Sequence, residues 1–156
     1  MKILNCVLCG VEKEDKLLMI KRNNEPYRHH WTLPGGKVEF GEHIEQAAER
    51  EIKEETNLDC KAEKICGIGT EIQWENAKRK GHFVMFVVKL MPEHFDIIES
   101  KEGQLMWIEK DKIKDLNKVP SDHELIKRYL INDSEVKVNK IKINQNGETY
   151  EMEEFL

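Results

Sequence analysis

The stretch AEREIKEETNL, residues 48–58, constrains this chain more than any other. Its residues have helical character, and a helical wheel sets a physical problem. At about 100° per residue, Ile44, Ala47, Ala48 and Leu58 all fall within about 60° of Glu51. That stripe is the one that should pack on a sheet. Glu55 lies on the same stripe, and Glu54 at its edge. Lys53, Glu49 and Thr56 fall on the far side and are expected to be solvated. Turning ionised carboxylates toward a core is costly, and clustering them adds repulsion. Two remedies are available. Arg50 can pair with one carboxylate, and a divalent cation can be held by the rest. Hard Mg2+ or Mn2+ prefers carboxylate oxygen and shares its shell with substrate phosphates. A charged, fully solvated helix is the bland alternative. The segment just upstream, WTLPGGKVEFGEHIEQ, weighs against it. Gly35 and Gly36 permit close backbone approach, and a glycine-rich loop leading into a helix N-terminus is an anion cradle.

The rest of the chain supplies a sheet for that helix. Residues 3–11 and 16–21 are expected as strands around a turn at Glu12–Asp15. Residues 22–41 are loop-rich, with Pro26, Pro34 and three glycines. A helix is expected from about His43 to Thr56, ended by Asn57 in the left-handed conformation. Residues 61–74 and 82–90 are expected as strands joined by the polar stretch ENAKRKG. The apolar run FVMFVVKL marks a central strand. A short strand follows at 104–108, DKIKDL suits one helical turn, and Ser121 can cap a helix running to about Ile131. From Val136 on, the tail alternates around Asn146-Gly147 as a hairpin that extends the sheet or builds a dimer contact. The expected fold class is α+β, a mixed sheet between helices, in one domain over residues 1–156.

Composition excludes several partners. The 156 residues are 39% apolar and 35% charged, with net charge −5. That balance disfavours non-specific binding to a nucleic acid polymer. No run approaches the roughly 18 apolar residues of a membrane span, and the N-terminus has no signal-peptide cleavage site. Cys6 and Cys9 have a C-x2-C spacing, but on a strand they would face opposite ways. Cys60 and Cys66 form no second short pair. The four cysteines are expected as reduced, mostly buried thiols of a cytoplasmic protein.

Taken together, GKVEFGEHIEQAAEREIKEETNL resembles the Nudix box, G-x5-E-x7-R-E-U-x-E-E-x-G-U, with U a bulky aliphatic residue. Gly36, Glu42, Arg50, Glu51, Ile52, Glu54, Glu55 and Leu58 stand at its fixed positions. Asn57 replaces the glycine, and Asn is the best substitute at a left-handed helix end. The resemblance implies the Nudix fold and hydrolysis of a nucleoside diphosphate linked to another moiety. It implies Mg2+ or Mn2+ held by Glu51, Glu54 and Glu55 with the Gly35 carbonyl, and Glu42 as a further metal-linked acid. It also implies a bidentate ion pair from Arg50 that orients Glu51. The bound ion would polarise phosphoryl oxygens and activate water. Glu51 and Glu102 are the two candidates for the general base; Glu102 lies in a KEGQ stretch like that of MutT-type members.

Substrate identity is less constrained. NCVL, HWTLPGGK, EGQLMW and LNKVPSDHEL resemble MutT-type nucleoside triphosphate diphosphatases, including those acting on oxidised purines such as 8-oxo-dGTP. Asp122 then reads a purine edge, or else only caps the last helix. Arg22, Lys37 and Gly36 are candidate phosphate contacts; for either cation a solvated surface position is the alternative. Trp31 and Phe83 are candidates for stacking, with core packing the simpler role for Phe83 and Trp107. His29 and His30 are expected to be exposed. A Nudix pyrophosphatase for ADP-ribose, a nucleotide sugar or a dinucleoside polyphosphate is the competing enzyme. A non-catalytic nucleotide-binding regulator is the competing class, opposed by the intact acidic pairs.

Overall fold

The computed structural model describes residues 1–136 and 138–156. Strands β1 (Leu4–Lys13) and β2 (Lys16–Arg22) pair antiparallel around a turn of only Glu14 and Asp15. The loop-rich stretch after β2 contains two short strands that composition alone hides, β3 (Trp31–Thr32) and β4 (Gly35–Lys37). Helix α1 (Ile44–Thr56) follows, then β5 (Cys60–Glu75), β6 (Lys78–Pro92) and β7 (Gly103–Glu109). A 3-10 turn, Lys110–Asp115, leads to α2 (Pro120–Leu125), which continues in wider π-type turns over Ile126–Ile131. Strands β8 (Val138–Asn146) and β9 (Thr149–Phe155) close the chain.

The main sheet path runs β3-β2-β1-β6-β5-β8-β9, with β4 beside β1 and β7 beside β2. The apolar run in β6 occupies the middle, parallel to β1 and antiparallel to β5. The polar stretch ENAKRKG does not merely connect these strands. The ladder continues to Glu75↔Lys78, and only Asn76 and Ala77, both at positive φ, make the turn. The tail hairpin extends the sheet, with β8 parallel to β5. Lys137, within the tail expected as strand from Val136, lies outside the described residues.

Alternation divides the strands between two cores. Val7, Cys9 and Val11 of β1 face α1, where they meet Ala47, Ala48 and Ile52; Leu8 faces the other way, toward Leu125, Ile126 and Tyr129. The mixed sheet thus lies between α1 and α2. Cys6 and Cys9 point to opposite faces, and all four cysteines are free thiols. Among the described residues no helix is long and apolar enough to cross a membrane.

The start of α2 corrects the expected cap. Val119 holds the N-cap position and Pro120 is the first helical residue, where its missing N–H costs nothing. Ser121 lies inside the helix, its Oγ buried with no partner among the described residues. The far side of α1 is also less wet than the wheel implies. Lys53 is exposed, but Thr56 is fully buried, with its hydroxyl donating to Ile52 O at 2.5 Å and accepting from Leu58 N–H. Glu49 is half-buried and accepts from Ala62 N–H.

Helix α1 ends at Asn57, φ 64°, whose N–H donates to Lys53 O at 2.9 Å. Asn57→Gly should therefore hold or raise stability by a few tenths of a kcal/mol, while Asn57→Ala lowers it by about 1 kcal/mol. Urea denaturation measures both; an Ala variant as stable as the Gly variant would remove the conformational argument.

Candidate active site

Two glycines on β4 seat two of the helix carboxylates by different means. Gly35 lies opposite Leu8 of β1, and a Cβ there would stand 2.0 Å from Val7 O. Only glycine lets β4 lie this close. Its N–H donates to Glu55 Oε2 at 3.0 Å. Gly36 contributes space instead: a Cβ would fall 2.5 Å from the Glu51 carboxylate atoms.

Arg50 organises the remaining acids. Its Nε and Nη2 grip Glu42 at 3.1 and 2.6 Å, Nη1 donates to Glu51 Oε1 at 2.8 Å and reaches Glu54 Oε2 at 3.4 Å, and Nη2 also donates to Lys37 O. The bidentate pair expected with Glu51 is thus made with Glu42, because Glu42 lies across the loop end-on to the guanidinium fork while Glu51 meets only one nitrogen. Both Glu42 oxygens are engaged, Oε1 also accepting from Glu39 N–H. Neither Glu42 nor Arg50 lines the adjacent cleft. Arg50 bonding holds the Glu42 carboxyl below its usual range.

Glu51 and Glu55 are inward, as the wheel requires. Burial pushes the Glu55 carboxyl up to about 8 against the opposing Gly35 bond, with the Glu51 charge adding to the rise. Burial also raises Glu51, opposed by Arg50. Glu54 is the outlying member, its side chain 61% exposed. Among the described residues no three His, Cys, Asp or Glu groups converge closely enough to grip a metal ion as they stand. Glu54, exposed and on the longest of the Arg50 bonds, is the carboxylate freest to complete such a set.

These acids line one end of a cleft of about 670 Å³. It brings together Arg22, Gly35, Gly36, Lys37, Glu51, Glu54, Glu55, Glu102 and Asp122, residues spread over a hundred positions of sequence. Glu102, on the turn before β7, accepts from Asn24 Nδ2 at 3.1 Å. Arg22 Nε donates to Pro26 O. Asp122 does not cap its own helix: Leu33 N–H at 3.1 Å and the Thr32 hydroxyl both donate to its Oδ2. Burial raises its carboxyl to about 6, opposed by those two bonds. Acidic groups far outnumber Arg22, Lys37 and Lys101 along this surface, so an anionic occupant needs added positive charge.

The aromatic expectations are partly reversed. Phe83 lines the cleft, whereas Trp31 is core and Trp107 packs part-buried on the α1 side. His29 is exposed, but His30 is 8% exposed and bonded through Nδ1 to Arg28 O. Sequence reasoning missed Tyr27, Glu71 and Gln73, which also line the cleft. The available signal was inverted: along β5, Gly67, Gly69, Glu71 and Gln73 face inward, while Ile68, Ile72 and Trp74 are half-buried on the other face.

Comparison with known proteins places the sequence and the fold in one family. The NUDIX domain model matches residues 3–129. The chain is 38% identical over 126 residues to an ADP-ribose pyrophosphatase of Methanocaldococcus jannaschii, covering 77% of this chain and 69% of the relative. It is 36% identical over 93 residues to human 8-oxo-dGDP phosphatase NUDT18, covering 60% of this chain but 26% of that protein. The crystal structure of a MutT protein from Bacillus halodurans shares the fold, with TM-score 0.78 at 24% identity over 98% of this chain and 96% of that one. Motif, fold and relatives coincide: the chain belongs to the Nudix hydrolase family.

Proposed function

We propose that this chain hydrolyses a purine nucleoside triphosphate to the monophosphate and pyrophosphate. The observation that carries the reading is that one cleft holds the acidic end, Glu51, Glu54, Glu55 and Glu102, together with Asp122, a buried carboxyl able to accept from a purine edge. The donor set suits a hard divalent cation: carboxylate and carbonyl oxygens, with one carboxyl buried enough to resist ionisation without a cation. Glu51, Glu54 and Glu55, with Gly35, would hold Mg2+ or Mn2+. When bound, the ion supplies positive charge to the phosphates and acidifies the attacking water.

The chain's own residues do the rest. Arg50 fixes the Glu51 carboxylate through Nη1 and is itself fixed by the Glu42 fork. Gly36 leaves room for the Glu51 carboxylate itself, and Arg22 and Lys37 offset phosphate charge at the cleft wall. Glu102 uses one oxygen on Asn24, which leaves the other to accept a proton from water. Glu51, bonded through Oε1 to Arg50, is the alternative acceptor. Asp122 spends Oδ2 on Thr32 and Leu33, leaving Oδ1 for guanine-type N–H donors.

ADP-ribose is the second reading, favoured by the likeness to the Methanocaldococcus jannaschii ADP-ribose pyrophosphatase. Product analysis separates the two. Incubation with Mg2+ and nucleoside triphosphates should release pyrophosphate and the monophosphate. AMP with ribose 5-phosphate from ADP-ribose, and no triphosphate turnover, would instead establish the second reading.

Glu55→Gln should lower turnover by about 10²-fold or more and weaken metal activation, whereas Glu102→Gln should lower kcat about 10²–10⁴-fold at unchanged metal affinity. Wild-type kcat in Glu102→Gln would leave Glu51 as the base. Asp122 gives a pH test. Its folded-state value of about 6 lies above the ordinary 3.8, so the native state binds the extra proton between them. Glu55, raised to about 8, carries a decline in stability on toward pH 8; between about pH 4 and 6 the Asp122 part of the fall should be on the order of 3 kcal/mol. Asp122→Asn should flatten that slope in denaturation curves; an unchanged slope would assign it to another group.

A further inference from the structure

The cleft contains a polar constellation that the proposed hydrolysis does not use. Glu71, on β5, is 2% exposed. Its Oε1 accepts from the Tyr27 hydroxyl at 2.6 Å and from Gln73 Nε2 at 2.9 Å. Its Oε2 is buried and has no partner among the described residues. Leaving a buried carboxyl oxygen unpaired is destabilising. A ligand donor in the cleft would remove that penalty. Asp122 lines the same cavity, so two carboxyl groups present acceptors to one occupant.

Tyr27 is held in place from far along the chain. It sits in the loop after β2 at φ 62°, a conformation an ordinary side chain adopts only when its surroundings enforce it. Tyr150 of β9 packs against Tyr27. The two rings lie 4.3 Å apart, and the Tyr27 N–H donates to the Tyr150 hydroxyl at 3.1 Å. That hydroxyl donates to Glu25 Oε2 and accepts from Gln145 Nε2, each at 3.1 Å. His30 sets its ring edge-on to Tyr150 at 5.3 Å. Gln145 and Tyr150 both belong to the β8–β9 hairpin, beyond residue 129, where the family match ends.

We propose that Glu71, presented by Tyr27 and Gln73 and braced by Tyr150, selects bases that offer adjacent N–H donors, making the C-terminal hairpin part of the substrate site. The inference rests on a nucleotide base occupying this end of the cleft, as in the function proposed above. A guanine-type edge brings N1–H and the exocyclic amino group to two carboxyl acceptors. An adenine-type edge sets its N1 lone pair against them, and an acceptor facing an acceptor is repelled. Tyr150 does not itself line the cleft; it holds Tyr27 and Glu25, which do, and acts as a positioning residue.

The test is calorimetric binding of dGMP and dAMP to the full chain, with circular dichroism to confirm folding. The wild type should bind dGMP about tenfold or more tighter than dAMP. Glu71→Gln, nearly isosteric, should bring that ratio toward one by weakening dGMP. Tyr150→Phe keeps the ring stack and loses the hydroxyl bonds; it should cut the ratio severalfold while the fold persists, a change that a merely structural role would not produce. Equal affinities in the wild type, no binding of either nucleotide, or an unchanged ratio in Glu71→Gln would overturn the inference. Binding is read without turnover, so the two readings fail separately. Guanine preference with no triphosphate hydrolysis overturns the function proposed above and leaves this inference standing. Triphosphate hydrolysis with no base preference does the reverse.

Discussion

The Arg50 guanidinium is the constraint on which the site depends. Its five hydrogen bonds reach Glu42, Glu51, Glu54 and the Lys37 carbonyl, tying the β4–α1 loop to the helix. Without that fork, helix α1 would carry several carboxylates toward the sheet with nothing to offset their repulsion. With it, Glu42 and Glu51 share one positive charge at fixed positions, and Glu55 is left buried in the cleft on a single backbone N–H. One cation thus satisfies part of the acidic group and leaves the rest under-compensated. That remainder is the negative charge that a metal ion would offset in the function proposed above.

The fold serves this arrangement through close approach. Gly35 lets β4 lie on β1, and Gly36 lets Glu51 lie on β4. The same logic recurs on the opposite face, where Gly67 makes room for the Tyr129 ring of the second helix. Helix α2 is thereby drawn onto β5, and Asp122 in its first turn is carried to Thr32 and Leu33. The buried carboxyl of Asp122 and the inward carboxylates of α1 come to share one cleft because two helices pack on opposite sides of one sheet at glycine positions.

Much of this was legible because it is local. The α1 stripe, the glycine loop and the Asn57 stop are written within a few turns of chain, and the apolar run of β6 marks the centre of the sheet. What escaped was set by tertiary contact. Thr56 looked solvated because a wheel ignores its hydroxyl bond back to Ile52. The Arg50 fork closes on Glu42 rather than on its neighbour Glu51 because the loop geometry between β4 and α1 decides which carboxylate meets the guanidinium edge. Glu71 was hidden by its own strand: the conspicuous alternation of Ile68, Ile72 and Trp74 marks the less buried face, and the inward row is glycine and polar. Tyr150 acts on Tyr27 across more than a hundred residues, a pairing no periodicity announces.

Whether the inward carboxylates of α1 are kept for a divalent cation is open to direct measurement. Titration of Mn2+ into the protein, with free ion followed by electron paramagnetic resonance, tests it most directly. The account predicts that the wild type withdraws Mn2+ from solution, that Mg2+ competes, and that Glu55→Gln weakens uptake by about tenfold or more. A wild-type protein that leaves the Mn2+ signal unchanged at roughly millimolar ion, or a Glu55→Gln variant that binds as well as its parent, would contradict it.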